Sequence, residues 1–187
     1  MVECDLLLAK VSTSLHTPQH YQLVYTTDVP VLLAMMRATA AEQDVPDAVT
    51  ATKIDLINSL GFGAESHLGR LHTGQALVVE SPEGEVAGMA FYFTTFVAWA
   101  AKPGICLEDL YVLPEYRCRG YARLLVQGVA KRAVELGCCR VEWLCYKQND
   151  RALRFYRSIG AKEMDNLAFL RLDGDAMAGF VNETPGQ

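Results

Sequence analysis

Three signatures are missing from this chain, and each absence removes a class of function. No stretch reaches the roughly 20 apolar residues that a membrane-spanning helix requires. The longest run with few charges, Val86 to Ala101, has the length of a buried pair of strands. No C-x-x-C pair occurs among Cys4, Cys106, Cys118, Cys138, Cys139 and Cys145, and His16, His20, His67 and His72 stand far from them in sequence, so no metal site is expected. Neither G-x-x-x-x-G-K-[ST] nor a G-x-G-x-x-G opening a helix after the first strand is present, which disfavours nucleotide hydrolysis and dinucleotide binding. Positive charge is also short: 17 Lys and Arg against 22 Asp and Glu leave a net charge of -5, which argues against a nucleic-acid surface and suits a cationic ligand. Glu3 and Asp5 stand where an export signal carries basic residues, and Met1-Val2 lacks a myristoylation glycine. The expectation is a cytoplasmic protein with reduced thiols, neither exported nor membrane-bound.

What is there suffices for one core. A chain of 187 residues, 51% apolar, without repeats, low-complexity stretches or a Pro/Gly/Ser linker, predicts a single α/β (α+β) domain. The division read from the sequence is an N-terminal extension over 1–20, a domain over 21–175 and a flexible tail over 176–187. Tyr21 to Tyr25 reads as a strand. Asp28 and Pro30 open a helix to about Ala41, and Thr50 caps a short helix that Gly61 ends. Strands follow over Ala76 to Glu80, Val86 to Phe96 and Ile105 to Leu113, an antiparallel meander. The period then turns helical from Ala122 to Leu136, Gly137 stops it, and Arg140 to Cys145 is again a strand. Asn149 caps a helix through Ser158, Leu167 to Leu172 is expected as a last strand, and the end frays after a turn of helix.

The stretch from Leu107 to Ala122 carries the most information. A strand runs into a loop and the loop opens an amphipathic helix, so unpaired backbone N–H groups and the positive helix end converge where Gly120 frees the backbone and Arg117 and Arg119 add charge. That combination binds phosphate. Arg117-Cys118-Arg119-Gly120-Tyr121-Ala122 resembles the R-x-x-G-x-A/G coenzyme A loop of Gcn5-related N-acetyltransferases (GNAT). Asn149 to Ala161 resembles the second signature of that superfamily, N-x-x-A-x-x-F-Y-x-x-x-G-F/A. Within it, Gly88 to Thr95 and Leu107 to Val112 resemble the diamine (spermidine/spermine) acetyltransferase branch. The resemblance implies acetyl-coenzyme A as cofactor, a mixed sheet splayed between the strands at Glu108 and Arg140, and a homodimer. It also implies cofactor contacts at Leu110, Tyr111, Val112, Arg117, Cys118, Arg119, Gly120, Tyr121, Ala122, Arg123, Asn149, Ala152 and Tyr156.

Acyl transfer to an amine requires a neutral nitrogen, and an ammonium with a pKa near ~10.4 is about 3.4 units too protonated at pH 7, a deficit of roughly 4.6 kcal/mol. A base must take the proton, and Glu108, on the strand entering the loop, is placed for it, directly or through water. Asp109 alternates to the other face unless a bulge brings both acids together. The resemblance assigns Tyr156 as general acid toward the departing thiolate. For the substrate, Glu108 and Asp109, the loop acids Glu42, Asp44 and Asp47, and the cation-π face of Trp99 are the candidates. Thr95 to Trp99 keeps the diamine branch's aromatic but not its acid. Three readings stay open: a small-amine acetyltransferase, a protein-lysine or N-terminal acetyltransferase, and a non-catalytic coenzyme A-binding module.

Overall fold

The computed structural model describes residues 21–62 and 73–182. Most of the expected loop from Gly61 to Gly74 and the whole 1–20 extension therefore lie outside the described residues. Up to Leu144 the chain forms one compact unit, and from Cys145 onward a second, taken separately below.

The first unit is a five-stranded sheet in the order β1-β2-β3-β4-β5. Its strands are β1 (Tyr21–Leu23), β2 (Gln75–Glu80), β3 (Val86–Val97), β4 (Lys102–Val112) and β5 (Val141–Trp143). β2 to β4 pair antiparallel, as expected for the meander, β1 adds to β2 antiparallel, and β4 pairs parallel with β5. That parallel step needs a crossover, which α3 (Tyr121–Glu135) supplies.

Alternation divides the sheet's residues between two cores. On one face Leu77, Val79, Ala90, Tyr92, Ile105, Leu107 and Val112 meet Tyr121, Leu125, Val129 and Ala133 of α3. On the other, Ala76, Val78, Met89 and Tyr111 meet Leu32 and Met35 of α1 (Val29–Glu42). Leu56 of α2 (Lys53–Ser59) packs with Val29 and Leu33 of α1. The cap of α2 is Thr52, not Thr50: its hydroxyl accepts from the Asp55 amide at 3.2 Å while the Thr52 amide donates to the Asp55 carboxylate at 2.8 Å. Thr50 lacks an acid three residues on to complete that box.

α3 approaches the sheet closely only because Gly128 has no side chain. A Cβ there would lie 2.8 Å from Leu77 Cδ1 and from Tyr21 Cδ2. Gly128→Val is therefore expected to destabilise the fold by about 1–3 kcal/mol, the usual cost of overpacking, read as a lower urea midpoint.

In the second unit, α4 (Asp150–Ser158) begins at Asn149, whose Oδ1 accepts from the Ala152 amide at 3.1 Å as the sequence predicts. Gly160, at φ 90, closes it. Leu167 to Leu172 is not a strand. The segment has strand-forming residues, but a strand exists only with a partner to share its ladder, and none pairs with it among the described residues. The described residues close with a longer helix than expected, α5 (Gly174–Asn182), so the part of the expected flexible tail up to Asn182 is helical.

Candidate active site

The register between β3 and β4 slips at one residue. Leu107 opposes Tyr92 and Asp109 opposes Phe91, so Glu108 is the extra residue of a β-bulge. Ile105 and Leu107 before it, and Leu110 and Val112 after it, all face α3. Glu108 and Asp109 therefore fall together on the opposite side of the strand, the bulge that would unite the two acids. Glu108 is exposed and Asp109 half-buried. Burial, opposed by a hydrogen bond from the Leu110 amide and helped to a smaller extent by the neighbouring Glu108 charge, pushes the Asp109 carboxyl up to about 6. A carboxylate in that range is ionised at neutral pH yet far better matched to proton transfer than an ordinary one.

Beside the bulge the sheet opens. β5 accompanies β4 only as far as Leu107 opposite Trp143, while β4 runs on to Val112. Glu108 to Val112 thus have no strand on that side among the described residues. The Leu113 amide bonds Ala87 of β3 at 3.0 Å. Antiparallel alternation then turns the Tyr111 amide toward β3 as well, leaving those of Leu110 and Val112 on the open side. Tyr111, expected to offer its amide to a cofactor, instead spends it within the sheet.

After β4, a single helical turn (Pro114–Tyr116) leads to Arg117, then to Cys118 at φ 61 and Gly120 at φ 90. Both last conformations are left-handed, and no side chain caps α3. The first amides of α3 are therefore open, with the positive end of a four-turn helix behind them, an arrangement suited to a diphosphate. Tyr121 anchors the helix start by burying its ring, edge-on to Tyr116 at 5.8 Å. The Arg119 guanidinium lies 5.6 Å from the centre of the Tyr116 ring, and Arg123 is exposed one turn into the helix.

Arg117 does not point into this site. Its Nε donates to the Val112 carbonyl at 2.8 Å, its Nη2 reaches Glu42 Oε1 at 2.6 Å, and its guanidinium stands 5.3 Å from the Tyr111 ring centre. Tyr111 Oη donates to the same Glu42 oxygen at 2.8 Å. Burial, then the bond to Glu42, push the Tyr111 phenol up to about 12, so it stays protonated.

In the second unit Tyr156 is half-buried on α4, its ring tilted against Phe155 at 5.3 Å between centres, and its carbonyl accepts from Ala161 at 3.1 Å. Burial raises the Cys145 thiol, as it does Cys106 in the first unit, where Glu108 and Glu142 add to the effect. Neither is poised as a thiolate nucleophile. Among the described residues no group of His, Cys, Asp and Glu could hold a metal ion, and no helix is long and apolar enough to cross a membrane.

A family model described as "Acetyltransferase (GNAT) family" matches residues 46–161, more than half of the chain. The protein belongs to that family. L-ornithine N5-acetyltransferase NATA1 of Arabidopsis thaliana is 39% identical over 92 residues, 49% of this chain and 40% of that enzyme. Thialysine N-epsilon-acetyltransferase of Bos taurus is 27% identical over 150 residues, 78% of this chain and 87% of that one. Among solved structures, integron cassette protein VCH_CASS6 from the mobile metagenome of V. cholerae matches with a TM-score of 0.70 at 21% identity, over 88% of this chain and 98% of that chain. It supports the fold alone.

Within the first unit the structure unites Glu108, Asp109 and the amides of Leu110 and Val112, the former donating to the Asp109 carboxylate and the latter open, but not every residue expected around the amine. Glu42 is engaged by Arg117 and Tyr111. Asp44 is exposed in the following turn at φ 59, and Asp47 lies in the single-turn helix after it. Trp99 is fully exposed at the tip of the β3–β4 hairpin. β4 rises about 3.3 Å per residue, so the six residues from Lys102 to Glu108 put that tip roughly 20 Å along the strand from the acids. Sequence reading passed over Glu142, which opposes Cys106 across the β4–β5 pair and pairs with Arg140 at 3.0 Å. Only strand register, not a motif, brings it opposite Cys106.

Proposed function

We propose that this GNAT protein transfers the acetyl group of acetyl-coenzyme A to a primary amine of a small cationic substrate: a polyamine, a diamine, thialysine or an amino acid. The observation that carries this reading is the Glu108 bulge, which sets two carboxylates on one face of β4 beside its open edge. The relatives named for ornithine and thialysine, both compact amino acids with a terminal amine, support the substrate class.

Acetyl-coenzyme A, when bound, supplies a thioester carbonyl activated toward an amine. The backbone amides of Gly120 to Ala122, with Arg119 and Arg123, hold its diphosphate, and the loop conformation at Cys118 aims them. On the open side of β4 the Val112 amide would donate to its pantetheine arm or thioester oxygen, and the Leu110 amide would join it on giving up its bond to the Asp109 carboxylate. Glu108 accepts the proton of the incoming ammonium through water, and the Asp109 carboxylate favours a cationic substrate near it. By the roles that the second GNAT signature implies, Asn149 and Ala152, at the start of α4, would contribute to cofactor binding and Tyr156 would protonate the departing thiolate. Burial that keeps Cys106 and Cys145 as thiols favours direct attack over an acyl-cysteine intermediate. The protein works as a homodimer in the cytoplasm, where its free cysteines stay reduced.

The reading is tested by supplying acetyl-coenzyme A with a panel of diamines, amino acids and peptides and following thiol release. Turnover of peptides alone would overturn it. Tyr156→Phe removes one hydroxyl, and the expected result is an intact fold with kcat about 10²-fold lower. Unchanged turnover in single-turnover experiments, which exclude masking by slow product release, would reduce Tyr156 to a packing residue.

A further inference from the structure

Glu42 ends α1, at the far side of the unit in sequence from the cofactor loop, yet its carboxylate meets that loop. One oxygen receives both the Tyr111 hydroxyl at 2.8 Å and the Arg117 guanidinium at 2.6 Å. The same guanidinium donates to the Val112 carbonyl at 2.8 Å and covers the Tyr111 ring. Arg117 is the first residue of the loop whose later amides stand open, and Tyr111 and Val112 are the last of β4. Three elements, the end of α1, the end of β4 and the start of the loop, are thus tied through one carboxylate. The chain reverses between Val112 and Gly120 through two left-handed residues, Cys118 and Gly120, a conformation that local preference alone does not favour at a cysteine.

We propose that Glu42 is a positioning residue for the cofactor rather than an acid that receives the substrate: it latches Arg117, and through it the loop, against β4. Arg117 then acts through the shape of the loop, and its charge is already balanced within the protein. The proposal rests on the reading of this loop as the acetyl-coenzyme A site.

Two measurements on the full chain test it. In steady-state kinetics, Glu42→Gln keeps an acceptor for Tyr111 but loses the charge-assisted bond to Arg117; KM for acetyl-coenzyme A should rise about tenfold, while kcat and the amine KM move much less. In urea unfolding without any ligand, Glu42→Gln should lower the midpoint in the wild-type background and have little effect in an Arg117→Gln background, the non-additivity of a direct pair. A Glu42→Gln variant whose diamine KM rises while its cofactor KM stays at the wild-type value would overturn the latch and restore Glu42 to the substrate. Additive effects in urea would overturn it equally. Wild-type protein that does not bind acetyl-coenzyme A would instead sink the assignment of the loop itself, so the two failures are distinguishable.

Discussion

Asp109→Asn should make the protein more stable and a poorer enzyme. The Asp109 carboxyl stands at about 6 in the folded protein against 3.8 as its ordinary value, because burial penalises the charged form. A folded-state pKa above the unfolded one means that the native state binds the proton more tightly. Ionised Asp109 therefore destabilises the fold: the cost is absent below the unfolded pKa, grows as pH rises between the two values, and is complete above about 6. The difference of 2.2 units amounts to at most about 3 kcal/mol at 1.36 kcal/mol per unit. Asparagine preserves the shape and the acceptor for the Leu110 amide but never ionises. Thermal unfolding at pH 7.5 should place the variant up to about 6–12 °C above wild type for a chain of this size, with the gap closing toward pH 4. Equal melting temperatures at pH 7.5 would show that Asp109 is not held against its charge. Turnover of a cationic amine should fall about tenfold or more in the same variant, the usual exchange at a site where burial tunes a carboxylate.

The site was legible in the sequence wherever it depends on the local chain. Gly120 and the amphipathic period after it announce an open helix start, and Asn149 caps α4 because an asparagine before a helical run has a local partner to bond. The neighbouring pair Glu108-Asp109 posed a question that sequence could frame but not answer, since alternation separates the two and only the partner strand's register reunites them. What was illegible is long-range. Glu42 lies 75 residues before Arg117, and an acidic loop end looks the same whether it faces solvent or an arginine. Trp99 beside a strand end suggested an aromatic wall, but the length of β4 beyond the hairpin carries it away from the acids. Leu167 to Leu172 has the composition of a strand and lacks the ladder that would make it one, because strand propensity reflects the neighbours a segment meets more than the segment itself.

The cofactor loop yields the other large expected effect. A ligand that binds only the folded protein stabilises it by about 2.7 kcal/mol at a hundred times its Kd. For a chain of 187 residues this is a rise of roughly 5–11 °C in Tm with acetyl-coenzyme A. Gly120→Glu should remove the rise. At φ 90 a glutamate is strained by about 1–3 kcal/mol, and its carboxylate would stand among the amides that the diphosphate requires. Strain alone would lower Tm without abolishing the response to ligand, so Gly120→Asn serves as the comparison: asparagine tolerates left-handed backbone better than other side chains and adds no charge. The expected order is a full rise in wild type, most of it in Gly120→Asn, and none in Gly120→Glu, with all three folded by circular dichroism. A folded Gly120→Glu protein that still gains the wild-type increment would place the diphosphate somewhere other than the start of α3, and with it the whole orientation of the thioester toward Glu108.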